Sequence, residues 1–131
     1  MTFLTLCSLM IATGDIAHCP DLTERLSPDW YYTIARAAGW PDEHVDDAVS
    51  VAWCETRGYV LDHPEGGSVR GMFQIMPMWV EWGDKHHGLN ADRLDPVQNA
   101  RLAWLVFSEY DGYRWHDGQW ACQPGWVEVG E

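Results

Sequence analysis

The sequence predicts a mainly helical protein of one domain, on three observations. After Ser27, Pro41 and Asp95, apolar residues recur at steps of three and four, the spacing of a helix with one buried face. Pro28, Pro41, Pro77 and Pro96 stand where helices begin, a position at which the missing N–H costs nothing. The length, 131 residues with 47% hydrophobic side chains and nine tryptophans, suffices for one sizeable core and not two.

The first segment leaves two readings open. Phe3, Leu4, Leu6, Leu9, Met10, Ile11 and Ala12 form an apolar run of signal-peptide length, too short to span a bilayer. No Lys or Arg precedes Arg25, however, so residues 1–17 are either a cleaved signal or an N-terminal apolar helix. Residues 18–42 then read as a linker, polar and turn-like over Pro20 to Ser27, followed by a short helix over Asp29 to Ala38. That helix places Trp30, Ile34 and Ala38 on one face and stops at Gly39.

The central element runs from Pro41 to Gly58. Asp42 and Glu43 suit a positively polarised first turn, and Gly58 suits the stop. Val45, Ala48, Val49, Ala52 and Thr56 make its core stripe. Glu55 breaks that stripe, because at 100° per residue it falls nearly above Ala48 and beside Val51 and Ala52. A carboxyl on such a face loses hydration of its charged form, its pKa rises, and it can serve as a general acid. The alternative is a helix-end glutamate that turns to water or pairs with Arg57 or Arg70.

Beyond Gly58, Asp62 to Gly67 is a dense turn signal, and Gly71 to Met76 is an apolar run holding one glutamine, Gln74. Pro77 opens a helix with Trp79, Val80 and Trp82 that ends near Lys85 to Gly88. Asp95 caps the next, with Pro96 at its first position and Gln98 placed to complete a capping box. That helix reaches about Tyr110, with Ala100, Ala103, Phe107 and Tyr110 on its stripe. An aromatic-rich close follows, marked by Trp115, Trp120 and Trp126.

Eight basic against twenty acidic side chains give a formal net charge of −12, which argues against nucleic acid and against anionic membranes. Four cysteines without C-x-x-C spacing argue against zinc or a redox dithiol. Cys54 and Cys122 flank the region of interest, and their pairing would imply an oxidising compartment. Cys7 and Cys19 could pair, or Cys7 could leave with a signal. His63, His86, His87 and His116 lack metal-ligand spacing and read as surface residues, and no cofactor is implied.

Four stretches in order carry a resemblance: Cys54-Glu55-Thr56, Ser68 to Ile75, Asp95 to Ala100, and Trp115 to Cys122. Together they resemble the lysozyme-like fold of soluble lytic transglycosylases and related bacterial and phage muramidases, over about residues 45 to 122. Thr56 and Met72 stand where that family usually has Ser and Leu. The resemblance implies a mainly α fold with a minimal β element and a catalytic glutamate at a helix C-terminus, within a catalytic domain of residues 43–131.

It also implies cleavage of the β-1,4 bond between N-acetylmuramic acid and N-acetylglucosamine in peptidoglycan, with Glu55 as acid and then base. The expected substrate-binding residues are Ser68, Met72, Phe73, Gln74, Tyr110 and Trp115, with Gln74 contacting substrate or orienting Glu55. Asn99 is expected to be structural, and a Cys54–Cys122 bridge matches one in secreted or phage members. A hydrolase would need a second carboxylate, for which Asp62, Glu65 and Asp84 are the candidates. Trp79, Trp115 and Trp120 either stack on sugar or fill the core. The partner is the glycan strand, the expected state a monomer, and the place the periplasm, cell wall or a virion. The acidic charge also admits a rival, a non-catalytic wall-docking or structural module.

Overall fold

The longest helix, Asp42–Thr56, sets the frame for the rest. Asp42 and Glu43 occupy its first turn, and the stripe from Val45 to Thr56 is buried, as its spacing requires. Its ends differ by one residue from expectation. Pro41 is the N-cap, with extended backbone at φ −73 and ψ 157, and not the first helical residue. The left-handed stop begins at Arg57, φ 52, before it passes to Gly58, φ 94.

The computed structural model describes residues 1–62, 67–110 and 120–131, among which there are five α-helices and one antiparallel bridge, Arg70 to Ile75. They are α1 (Phe3–Ala12), α2 (Pro28–Ala37), α3 (Asp42–Thr56), α4 (Pro77–His87) and α5 (Pro96–Glu109). The protein is mainly helical. α2 packs along α3 and also meets α5, which in turn meets α4 and α1. Tyr31, Ile34 and Ala35 are the buried face of α2, so Trp30, expected in the core, is only half-buried.

The apolar run at the N-terminus forms α1, with Phe3, Leu6 and Cys7 in the core. It is held by a Cys7–Cys19 disulfide and by Asp95, whose carboxylate accepts the Phe3 N–H at 3.0 Å while also capping α5. The expected capping box does not close. Gln98 turns its Oε1 to the Asp92 N–H at 2.7 Å instead, because the Asp95 N–H that it would accept is donated to the Asp92 carbonyl at 3.1 Å. Pro20 to Ser27 is likewise not a free linker: Leu26 is buried and donates to the Gly58 carbonyl at 2.9 Å, and Arg25 Nε donates to the Arg57 carbonyl. Those contacts fix the end of α3.

The bridge closes a tight turn around Gly71, at φ 79, and Gln74, at φ 50. A Cβ on Gly71 would stand 2.1 Å from the Arg93 carbonyl, so this position admits only glycine. Asn99, fully buried on α5, staples the turn: its Oδ1 accepts the Phe73 N–H at 2.8 Å and its Nδ2 donates to the carbonyls of Arg70 and Arg93. The structural role expected of Asn99 is thereby given its contacts. Among the described residues no helix is long and apolar enough to cross a membrane.

Candidate active site

Glu55 lies on the last turn of α3 and is half-buried. The Cys54–Cys122 disulfide draws the C-terminal segment across this helix end, and the Cys122 N–H donates to Glu55 Oε1 at 3.1 Å. Farther along, the Gly125 N–H donates to Ser50 Oγ at 2.9 Å, one turn back on α3. Burial pushes the Glu55 carboxyl above the ordinary glutamate value, and the N–H groups of Cys122 and Ala121 oppose that shift without cancelling it.

Beside Glu55, Thr56 ties α3 to its neighbours. Its hydroxyl proton is shared between the carbonyls of Ala52 at 2.9 Å and Met72 at 3.1 Å, so at the 2.6 Å contact with Tyr31 the phenol is the donor. Tyr31 accepts the Gly58 N–H in return, at 3.1 Å. Burial raises the Tyr31 pKa to about 12, so it stays a neutral donor at any ordinary pH. One buried chain of hydrogen bonds thus links α2, the end of α3 and the bridged turn, and so fixes the backbone that carries Glu55.

The expected binding residues divide. Met72 and Phe73 are wholly buried, so their side chains belong to the core and cannot present a surface to a ligand. Phe73 stacks on Trp40, centroids 5.6 Å apart, and its carbonyl accepts the Trp120 indole N–H at 3.0 Å. Gln74 is 6% exposed and its amide donates to the carbonyls of Asp62 and Gly71, both at 3.0 Å, which makes it a brace of the turn; its amide nitrogen does not reach Glu55. Ser68 is exposed and offers its carbonyl to Arg93. Tyr110 ends α5, 37% exposed and edge-on to Trp79 and Trp82, and is not part of the core stripe. Trp115, with Glu65, His63 and His116, lies outside the described residues.

Trp79 and Trp120 are both buried, which decides for the core. The backbone of Asp62 serves the turn, while Asp84 lines a cleft with Arg70 and Arg93 and not with Glu55. His86 and His87 are on the surface, and His87 Nε2 stands 2.7 Å from a Glu109 carboxylate oxygen. Among the described residues no cluster of His, Cys, Asp or Glu could hold a metal ion.

Reading the sequence missed three participants: Tyr31 under the helix end, the Cys122 N–H on the carboxyl, and Arg93, whose Nη1 donates to Ser68 and Ile75 carbonyls at 2.6 and 2.9 Å. Only the cysteine spacing pointed toward any of them. No family model, curated protein or solved structure matches this chain.

Proposed function

We propose that this protein is a peptidoglycan-cleaving muramidase of lysozyme-like fold, with Glu55 as general acid and then base. The observation that carries the reading is a helix-end carboxyl, half-buried, pushed toward its protonated form and anchored through Cys122 to a disulfide-bound segment. Such a group keeps its proton to higher pH than an exposed glutamate does, which is what a general acid for a glycosidic oxygen requires. The ordered match of Glu55, the Ser68 to Ile75 turn and the Asp95 to Asn99 helix start to the lytic transglycosylase pattern supports the same reading.

The lytic route, in which the muramoyl sugar closes its own anhydro ring, is favoured over hydrolysis because, of the candidate second carboxylates, Asp84 lines a cleft that does not include Glu55 and Asp62 belongs to the bridged turn through its backbone. Two disulfides fit an oxidising compartment, which is where the wall polymer lies. One observation favours a second reading: a net charge of −12 repels an anionic polymer, as suits a non-catalytic module within an assembly.

The two readings separate on one pair of proteins. Wild type is expected to release soluble fragments from purified peptidoglycan, while Glu55→Gln co-sediments with it and loses about 10²–10⁴ of the rate, the usual worth of a general acid. Binding by both proteins with release by neither would establish the module.

A further inference from the structure

One cleft among the described residues lies away from Glu55. About 540 Å³ in volume, it opens between α4, the Asn90 to Leu94 segment and the bridged turn. On the α4 side Pro77, Val80, Glu81 and Asp84 follow at helical spacing, so an apolar floor leads to two carboxylates on one stripe. Arg70, from the bridged turn, and Arg93, from the Asn90 to Leu94 segment, line the same cleft.

These guanidiniums are unusual in a chain this acidic. The ion pairs among the described residues are Arg36–Asp42, His44–Glu43 and His87–Glu109, so neither Arg70 nor Arg93 is paired with a described carboxylate. Arg93 is held in place by its two carbonyl bonds through Nη1, which leaves the other three of its five N–H groups without a partner there. Burial, and then the charge of Arg70 beside it, weakens its hold on its proton, the signature of two cations sharing one site. Asp92 at the rim spends Oδ1 on the Leu94 N–H at 2.9 Å and does not cross to either.

We propose that this cleft binds a short peptide carrying both a free carboxylate and a free amine, the carboxylate on Arg70 and Arg93 and the ammonium on Glu81 and Asp84. A guanidinium pair with one member, Arg93, held in place suits a planar carboxylate, and the carboxylates lining the same cleft disfavour a simple anion such as phosphate. Its ligand class rests on the peptidoglycan reading, since stem peptides of that polymer are dipolar in this way; its geometry does not involve Glu55.

The test is calorimetric titration of the full chain with the tripeptide L-Ala-γ-D-Glu-L-Lys and with the same peptide amidated at both carboxylates. Saturable binding of the free acid is expected, weakened about tenfold by amidation, by Arg70→Gln and by Asp84→Asn, the loss of one charge-assisted contact each. Both substituted side chains lie outside every described hydrogen bond of the fold, so circular dichroism should match wild type. Equal binding of the amidated peptide, no binding of either, or Arg70-dependent binding of inorganic phosphate in place of the peptide would overturn the site. Glu55→Gln separates the two proposals: it should bind the tripeptide like wild type whether or not wild type cleaves glycan. Cleavage without peptide binding would sink this site alone, and peptide binding without cleavage would sink the enzyme reading alone.

Discussion

At Glu55 two opposing influences meet, and burial outweighs the N–H groups that favour the charged form. The folded chain therefore binds this proton more tightly than the unfolded chain does. Stability linked to Glu55 is full below the ordinary glutamate value and is lost as pH rises through the raised one. Glu55→Gln removes that dependence. At neutral pH the variant should be the more stable protein, and the difference should close on acidification, as thermal unfolding of both proteins across pH would read. Activity that needs the protonated acid declines over the same rise in pH. Asn99 is the residue-scale counterpart for structure. Asn99→Ala would strand the Phe73 N–H and the Arg93 carbonyl in the interior, while the Arg70 carbonyl keeps the Ile75 N–H; at about 1–3 kcal/mol for each stranded group, denaturant unfolding should show a loss of about 2 kcal/mol or more. A loss under 1 kcal/mol would mean that the turn holds without its staple.

The elements that position Glu55 were legible to different degrees. α3 and α5 could be read within a residue or two because Pro41, Asp42, Gly58, Asp95 and Pro96 act locally, through φ preference and capping. The turn from Arg70 to Ile75 could not, since its shape depends on Asn99 and Arg93, which are distant in sequence. That is why Met72, Phe73 and Gln74 looked like a binding strip: a run of large side chains with one amide reads the same whether it faces a ligand or the core. The C-terminal segment was legible only through cysteine spacing. Its bridge to Cys54 closes a loop of sequence separation 68, worth about 4 kcal/mol on the chain-entropy model. Replacing Cys54 and Cys122 together by Ser should lower stability by that order. It should also open Glu55 to water, which shifts the decline of activity toward lower pH; an unchanged pH profile would show that the segment does not set the acidity of Glu55.

For the molecule as a whole, charge is the feature that fold and site do not explain. A net charge of −12 sets a long-range repulsion against an anionic wall, and added salt screens it within about 8–10 Å at ordinary ionic strength. Cleavage should accordingly rise with salt, unlike that of a basic enzyme drawn to its polymer; a fall with salt would mean that local attraction, such as that of Arg70 and Arg93, governs encounter. Composition made this expectation legible from the start, whereas the pairing of those two arginines across the turn needed the fold. The most direct test of the central claim is mass spectrometry of the fragments that wild type and Glu55→Gln release from purified peptidoglycan at raised salt. Wild-type fragments ending in 1,6-anhydromuramic acid, with none from Glu55→Gln, are the predicted result. Equal release by the two proteins, or no release by wild type, would contradict it.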